Sequence, residues 1–176
     1  MSMNAKITVA GNLSVCVCTR NRPEELAKFI ASVRGCGNSI YEIVVSDDST
    51  DNRTKEMVQN YFPDVVYIRG PKKGLGANRN CAIEHSCGEF LIFLDDDSEI
   101  AKNFVSAVDK FADENNLDLR KTMITGNQVE GGVSIQPHDQ SFLGFQNVPY
   151  MDGDVINTVN IMATVFPRKL VSSVRF

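Results

Sequence analysis

The chain has 176 residues, 43% apolar and 23% charged, with a net charge of −4. Those values fit one soluble globular domain with a real core, and the acidic balance argues against a general nucleic-acid binder. No apolar run approaches the ~18–20 residues of a membrane helix, and Met1–Gly11 lacks the h-region of a signal peptide. Five cysteines, an odd number with no framework spacing, point to a reducing, cytosolic setting.

Residues 1–12 read as a tail. Leu13 to Thr19 then reads as a first strand, with Cys16 and Cys18 as small core residues on one face. Arg20-Asn21-Arg22-Pro23 breaks it. Pro23 suits the first position of a helix, Glu24 and Glu25 suit its dipole, and Leu26, Phe29, Ile30 and Val33 keep helical spacing as far as Gly35. Tyr41 to Ser46 is a second strand, ending in Asp47-Asp48. Ser49, Thr50 and Asp51 are cap candidates for a helix reaching Tyr61, and Pro63 stops it.

Val65 to Ile68 predicts a third strand, followed by a loop with three basic residues and three glycines, Arg69 to Gly76. A helix carries Arg79 and runs to Cys87, with Gly88 as its stop. Phe90 to Leu94 is five apolar residues without a break, the pattern of a strand buried on both faces. Asp95-Asp96-Asp97 follow at once. A helix from Lys102 to Glu114 comes next. This alternation implies an α/β fold: a mostly parallel sheet with helices on both faces and right-handed crossovers. The second half is mixed. Lys121 to Glu130 and Val155 to Val165 read as strands, separated by a long connection, Gly131 to Asp154, and Pro167 opens a final helix.

In such a fold the carboxyl edge of the sheet is where ligands bind. Three adjacent carboxylates there repel one another unless a cation compensates. Mg²⁺ or Mn²⁺ takes carboxylate oxygen and adds substrate phosphate. The competing reading is a solvated strand-to-helix turn capped by Asp97 or Ser98. In extended geometry Asp95 and Asp97 point the same way and Asp96 the other. Asp47 or Asp48 could accept hydrogen bonds from a base or ribose. Arg79 could meet a pyrophosphate near the Gly74 and Gly76 amides, or pair with one of the same acids. Lys72 and Lys73 read as solvated. Gly74-Leu75-Gly76 completes neither a Walker A loop nor GxGxxG. His85 reads as structural, and His138 lies in the long connection.

Four stretches together resemble a family-2 glycosyltransferase with the GT-A (Rossmann-like) fold: Val15–Pro23, Ile43–Asp51, Gly74–Asn80 and Phe93–Asp97. The likeness is specific over Leu13 to Ile100 and loose beyond. It implies a single domain over 13–176, with a nucleotide-sugar half (13–117) and an incomplete acceptor-side half (118–176). The implied donor is a UDP- or GDP-sugar and the implied acceptor a glycan, lipid or other hydroxyl. The implied cofactor is Mn²⁺ or Mg²⁺.

By the same resemblance Thr19, Arg20, Asn21 and Asp47, with Asp48 as second choice, hold the nucleotide together with Arg79. Asp97, then Asp95, hold the metal, and Asp96 or Asp95 contacts ribose or metal. Arg20 stands where many members have Tyr, which leaves base preference open. The inverting members' catalytic base is expected beyond Phe176, so the chain is expected to be shortened, and the full-length protein could be membrane-associated. The rival readings are a sugar-phosphate nucleotidyltransferase, which would want glycine directly after the first strand, a receiver-like phosphoacceptor module, and a non-catalytic nucleotide-sugar-binding module.

Overall fold

The computed structural model describes residues 7–140, 146–151, 154, 156, 158–171 and 175–176. The first half alternates as expected: β1 (Leu13–Thr19), α1 (Pro23–Arg34), β2 (Ile40–Asp47), α2 (Arg53–Tyr61), β3 (Val66–Arg69), α3 (Leu75–His85), β4 (Phe90–Asp95) and α4 (Phe104–Glu114). There follow β5 (Ile124–Thr125), β6 (Gln128–Glu130), β7 (Val133–Ile135), β8 (His138–Gln140), β9 (Gln146–Pro149), β10 (Thr164–Pro167) and α5 (Arg168–Val171). The main sheet has the order β3-β2-β1-β4-β10-β5. β1 to β4 are mutually parallel, and β10 runs antiparallel to both β4 and β5.

The unbroken apolar runs have a physical reason, because both faces of the sheet are covered. Leu13, Val15 and Val17 of β1 lie on one face with Ile43, Val45, Phe90 and Ile92. They pack on Leu26, Phe29, Ile30 and Val33 of α1, Val58 of α2, and Val105 and Val108 of α4. Cys16, Val44, Leu91 and Phe93 point the other way, onto Ala82 and Ile83 of α3 and onto Phe166 and Val171. Leu13, Val15 and Val17 are wholly buried, and each contributes about 1.5–3 kcal/mol. A slip of one residue would exchange the two faces, so burial locks the register. That register sets Thr19 opposite Asp47 and Cys18 opposite Asp95. The acidic ends of β2 and β4 are thereby fixed on either side of β1.

Glycine is required where backbones cross closely. A Cβ on Gly88 would lie 2.5 Å from Ser14 Oγ and 2.6 Å from the Asn12 carbonyl. A Cβ on Gly70 would lie 2.3 Å from both Asp48 Oδ1 and Asn78 Oδ1. Glycine after β3 therefore leaves both side-chain oxygens in place, where a Cβ would push them aside.

Several expectations need correction. α2 begins after Asn52, and no side chain caps it. Asp51 instead accepts the Arg53 N–H at 3.0 Å from just outside the helix, while Ser49 and Thr50 bond to the loop after β1. The strand expected over Lys121–Glu130 is two short strands in different sheets, β5 and β6. Of the described residues between Val155 and Val165 only Thr164 and Val165 are strand, preceded by a 3-10 turn at Ile161–Ala163. The connection Gly131–Asp154 carries β7, β8 and β9, and part of it lies outside the described residues. β6 pairs with β7 and β8 with β9, as two small ladders apart from the main sheet. Pro167 closes β10 rather than opening α5.

Candidate functional site

The carboxyl edge of the parallel strands opens into a cleft of about 450 Å³. Thr19 and Arg20 line it from the end of β1, Asp48 from the end of β2, and Asp95, Asp96 and Asp97 from the end of β4. The register of β1 with its two neighbours brings these three chain segments together.

β4 ends at Asp95, and Asp96 and Asp97 lie in the following turn. The two-residue alternation expected for the triplet therefore does not apply. Asp96 turns inward, 4% exposed. Its Oδ2 accepts the Thr19 hydroxyl at 2.6 Å, and its Oδ1 meets Arg22 Nη1 at 2.9 Å. The same guanidinium reaches Asp97 Oδ2 through Nη2 at 2.9 Å. Asp97 is exposed, and Asp95 is partly buried. Burial pushes the Asp95 carboxyl above the usual carboxylate range. The Arg79 charge opposes that shift and the Asp97 charge adds to it. Burial also raises Asp96, against the Thr19 hydrogen bond and the Arg22 charge. Cys18, on the same edge, is pushed up to about 12 by burial, so it is a neutral thiol at pH 7.

Asp47 and Asp48 separate cleanly. Asp47 is fully buried and outside the cleft lining. It accepts the Ser49 N–H at 2.7 Å, the Tyr67 hydroxyl at 2.6 Å and Arg69 Nη1 at 3.4 Å. These bonds fix the turn after β2. Asp48 faces the cleft, with Oδ1 accepting the Lys72 N–H at 2.8 Å.

Asn21 sits at φ 58°, a left-handed conformation that asparagine tolerates. Its backbone N–H donates to Ser49 Oγ, and its Oδ1 accepts from the Thr50 N–H. It ties two edge loops together and does not line the cleft. Arg79 is also outside the lining. Its guanidinium carbon lies 5.6 Å from the centre of the Phe176 ring, which itself packs edge-on against Phe93. The ion pair weighed for Arg79 is made by Arg22.

Sequence reasoning passed over Arg22, Asn78 and the cleft-facing role of Lys72. Asn78 is 3% exposed; it accepts from the Ser46 hydroxyl and donates through Nδ2 to the Ser46 carbonyl at 3.1 Å. A poor helix former in the first turn of a helix was the available signal. For Arg22 the signal was a cation two residues from Arg20 on the same loop.

A second cavity of about 710 Å³ adjoins the first across Asp95 and Asp97. Glu99, Asn127, Gln128 and Glu130 also line it. Among the described residues no three or more His, Cys, Asp or Glu side chains form a complete metal cage. Two carboxylates beside an open cleft nonetheless suit Mg²⁺ or Mn²⁺, which are commonly bound by one or two carboxylates completed by substrate phosphates. No helix of the described residues is long and apolar enough to cross a membrane.

Comparisons with known proteins bear on the family and the fold. The GalNAc(5)-diNAcBac-PP-undecaprenol beta-1,3-glucosyltransferase of Campylobacter jejuni is 37% identical over 111 residues, covering 58% of this chain and 35% of that protein. The succinoglycan biosynthesis protein ExoM of Rhizobium meliloti is 27% identical over 101 residues, covering 54% and 33%. The chain thus spans about a third of the length of these relatives. The crystal structure of Staphylococcus aureus TarS 1-349 in complex with UDP-GlcNAc superposes with a TM-score of 0.61 at 22% identity, over 92% of this chain and 47% of that one. That likeness gives the GT-A fold. The Glycosyl transferase family 2 profile matches residues 14–171, and the chain belongs to that family.

Proposed function

We propose that this chain carries the donor site of a glycosyltransferase, which moves a sugar from a UDP- or GDP-sugar to a hydroxyl of a glycan or lipid acceptor. One observation carries the reading: a single cleft gathers Thr19, Arg20, Asp48 and the Asp95–Asp97 triplet at the carboxyl edge of the sheet. The S. aureus relative solved with UDP-GlcNAc supports a nucleotide-sugar donor.

In this reading Asp48 and Arg20 hold the nucleobase, Asp48 by accepting hydrogen bonds and Arg20 by stacking its guanidinium. Asp47 serves from behind, by fixing the turn that presents Asp48. Thr19 holds Asp96 toward the ribose. Asp97 and Asp95 would hold Mn²⁺ or Mg²⁺, which would supply positive charge against the departing nucleoside diphosphate. Asn21 and Arg79 support the site from its margin, the first by tying the loops and the second through its charge on Asp95. Transfer is a single inverting displacement at the anomeric carbon: the acceptor oxygen bonds to that carbon as its bond to the nucleoside diphosphate breaks, and a general base takes the hydroxyl proton. The acceptor occupies the second cavity, which shares Asp95 and Asp97 with the first. Residues 13–117 thus form the donor half, and 118–176 contribute the acceptor side.

Thermal unfolding with UDP and GDP, each with and without Mn²⁺, tests this on the chain and on Asp97→Ala. A ligand at about 100 times its Kd adds roughly 2.7 kcal/mol. One nucleotide should raise the midpoint by several degrees with metal, and Asp97→Ala should abolish the rise. A nucleotide shift equal in both proteins would refute the assignment of Asp97.

A further inference from the structure

We propose that Arg22 is a built-in stand-in for the divalent cation: it positions Asp96 and Asp97 in the cleft and must give up Asp97 to the metal. The proposal rests on reading the triplet as the cation site, and it adds a competitor that the reading itself does not contain.

The geometry of one guanidinium carries it. Nη1 meets Asp96 Oδ1 and Nη2 meets Asp97 Oδ2, both at 2.9 Å, so the planar fork spans two adjacent carboxylates of the triplet. Arg22 stands at the N-cap position of α1 but makes no capping bond there. Pro23 occupies the first helical position, and the side chain is committed to the cleft. The two arms are unequal. The Asp96 side chain is 5% exposed and is also held by the Thr19 hydroxyl, so that arm is anchored. The Asp97 side chain is 54% exposed and has no other hydrogen bond among the described residues. Pairs at exposed sites are weak and screened by salt, so the Asp97 arm is the one a dication can displace. Arg22 thus neutralises part of a repulsive triplet without filling all its oxygens. The cost is that the protein's own positive charge sits beside the ion it must admit.

Mn²⁺ titration followed by electron paramagnetic resonance tests this without nucleotide and without turnover. The proteins are the whole chain, Arg22→Met, Arg22→Lys and Asp97→Asn. Arg22→Met keeps much of the side-chain length and removes the charge. It should bind Mn²⁺ about fivefold more tightly than the parent, the effect of deleting one nearby unit charge in a watery cleft. Arg22→Lys keeps the charge and should stay near the parent. A purely structural Arg22 would give the opposite sign, because losing it would disorder the acids and weaken binding. Equal or weaker Mn²⁺ binding by Arg22→Met, with Asp97→Asn still abolishing it, overturns the proposal and leaves the cation site intact. Unchanged binding in Asp97→Asn overturns the cation reading and the proposal with it. Circular dichroism confirms that each variant is folded.

Discussion

The parallel half of the molecule and its hairpin half are held by different forces. In β1, β2 and β4 the strands have two covered faces, and a one-residue slip would bury the wrong side chains. In β6 to β9 the described strands are three or four residues long, and Val129, Val133 and Val148 are exposed. The first half is thus a rigid frame that delivers three loops to one edge. The second includes two short ladders that pair apart from the main sheet. The cleft draws all its lining from the frame, while the second cavity draws on both. The nucleotide chemistry should therefore depend steeply on the frame and little on the hairpins.

The largest effect should come from the frame itself. Ile92→Ala removes a wholly packed side chain from the central sheet and should cost about 2–5 kcal/mol in urea unfolding. Gly70→Ala should follow. Its new Cβ collides with Asp48 and Asn78 together, so we expect a loss of about 1–3 kcal/mol and loss of nucleotide-induced stabilisation, read in one thermal scan.

A smaller effect of opposite sign is expected from Asp95→Asn without ligand. The folded protein raises the Asp95 carboxyl above its unfolded value. Such a group contributes stability fully present below the unfolded pKa, ~3.9, and lost as pH rises through the folded value. At pH 7 the charged form is therefore a burden, and Asp95→Asn should melt above the parent. The difference should shrink as pH falls below about 4, and metal-dependent stabilisation by nucleotide should disappear. The smallest effect belongs to the hairpins: Val129→Thr should stay within about 0.5 kcal/mol and leave nucleotide binding unchanged. A large effect there would erase the contrast between the halves.

What could be read from the chain follows the same division. Phe90–Leu94 declared itself a two-faced strand because burial on both sides demands uninterrupted apolar residues, and the acids after β2 and β4 marked the edge. The choice between Asp47 and Asp48 was not legible. It depends on Tyr67 and Arg69, which reach Asp47 from β3 across a strand pairing. The partner of the triplet was equally hidden, since Arg22 and Arg79 are the same residue type and only the turn after β1 aims one at Asp96. The hairpins were missed because three-residue strands with exposed valines carry too little alternation to separate them from loop.

Hydrogen–deuterium exchange with and without the stabilising nucleotide and Mn²⁺ locates the donor site on the molecule. Slowed exchange should be confined to residues 18–22, 47–50, 72–78 and 94–98, the four segments that line the cleft. Slowed exchange confined to residues 127–138 and 158–162, with the carboxyl edge unchanged, would contradict the assignment of the cleft as the donor site.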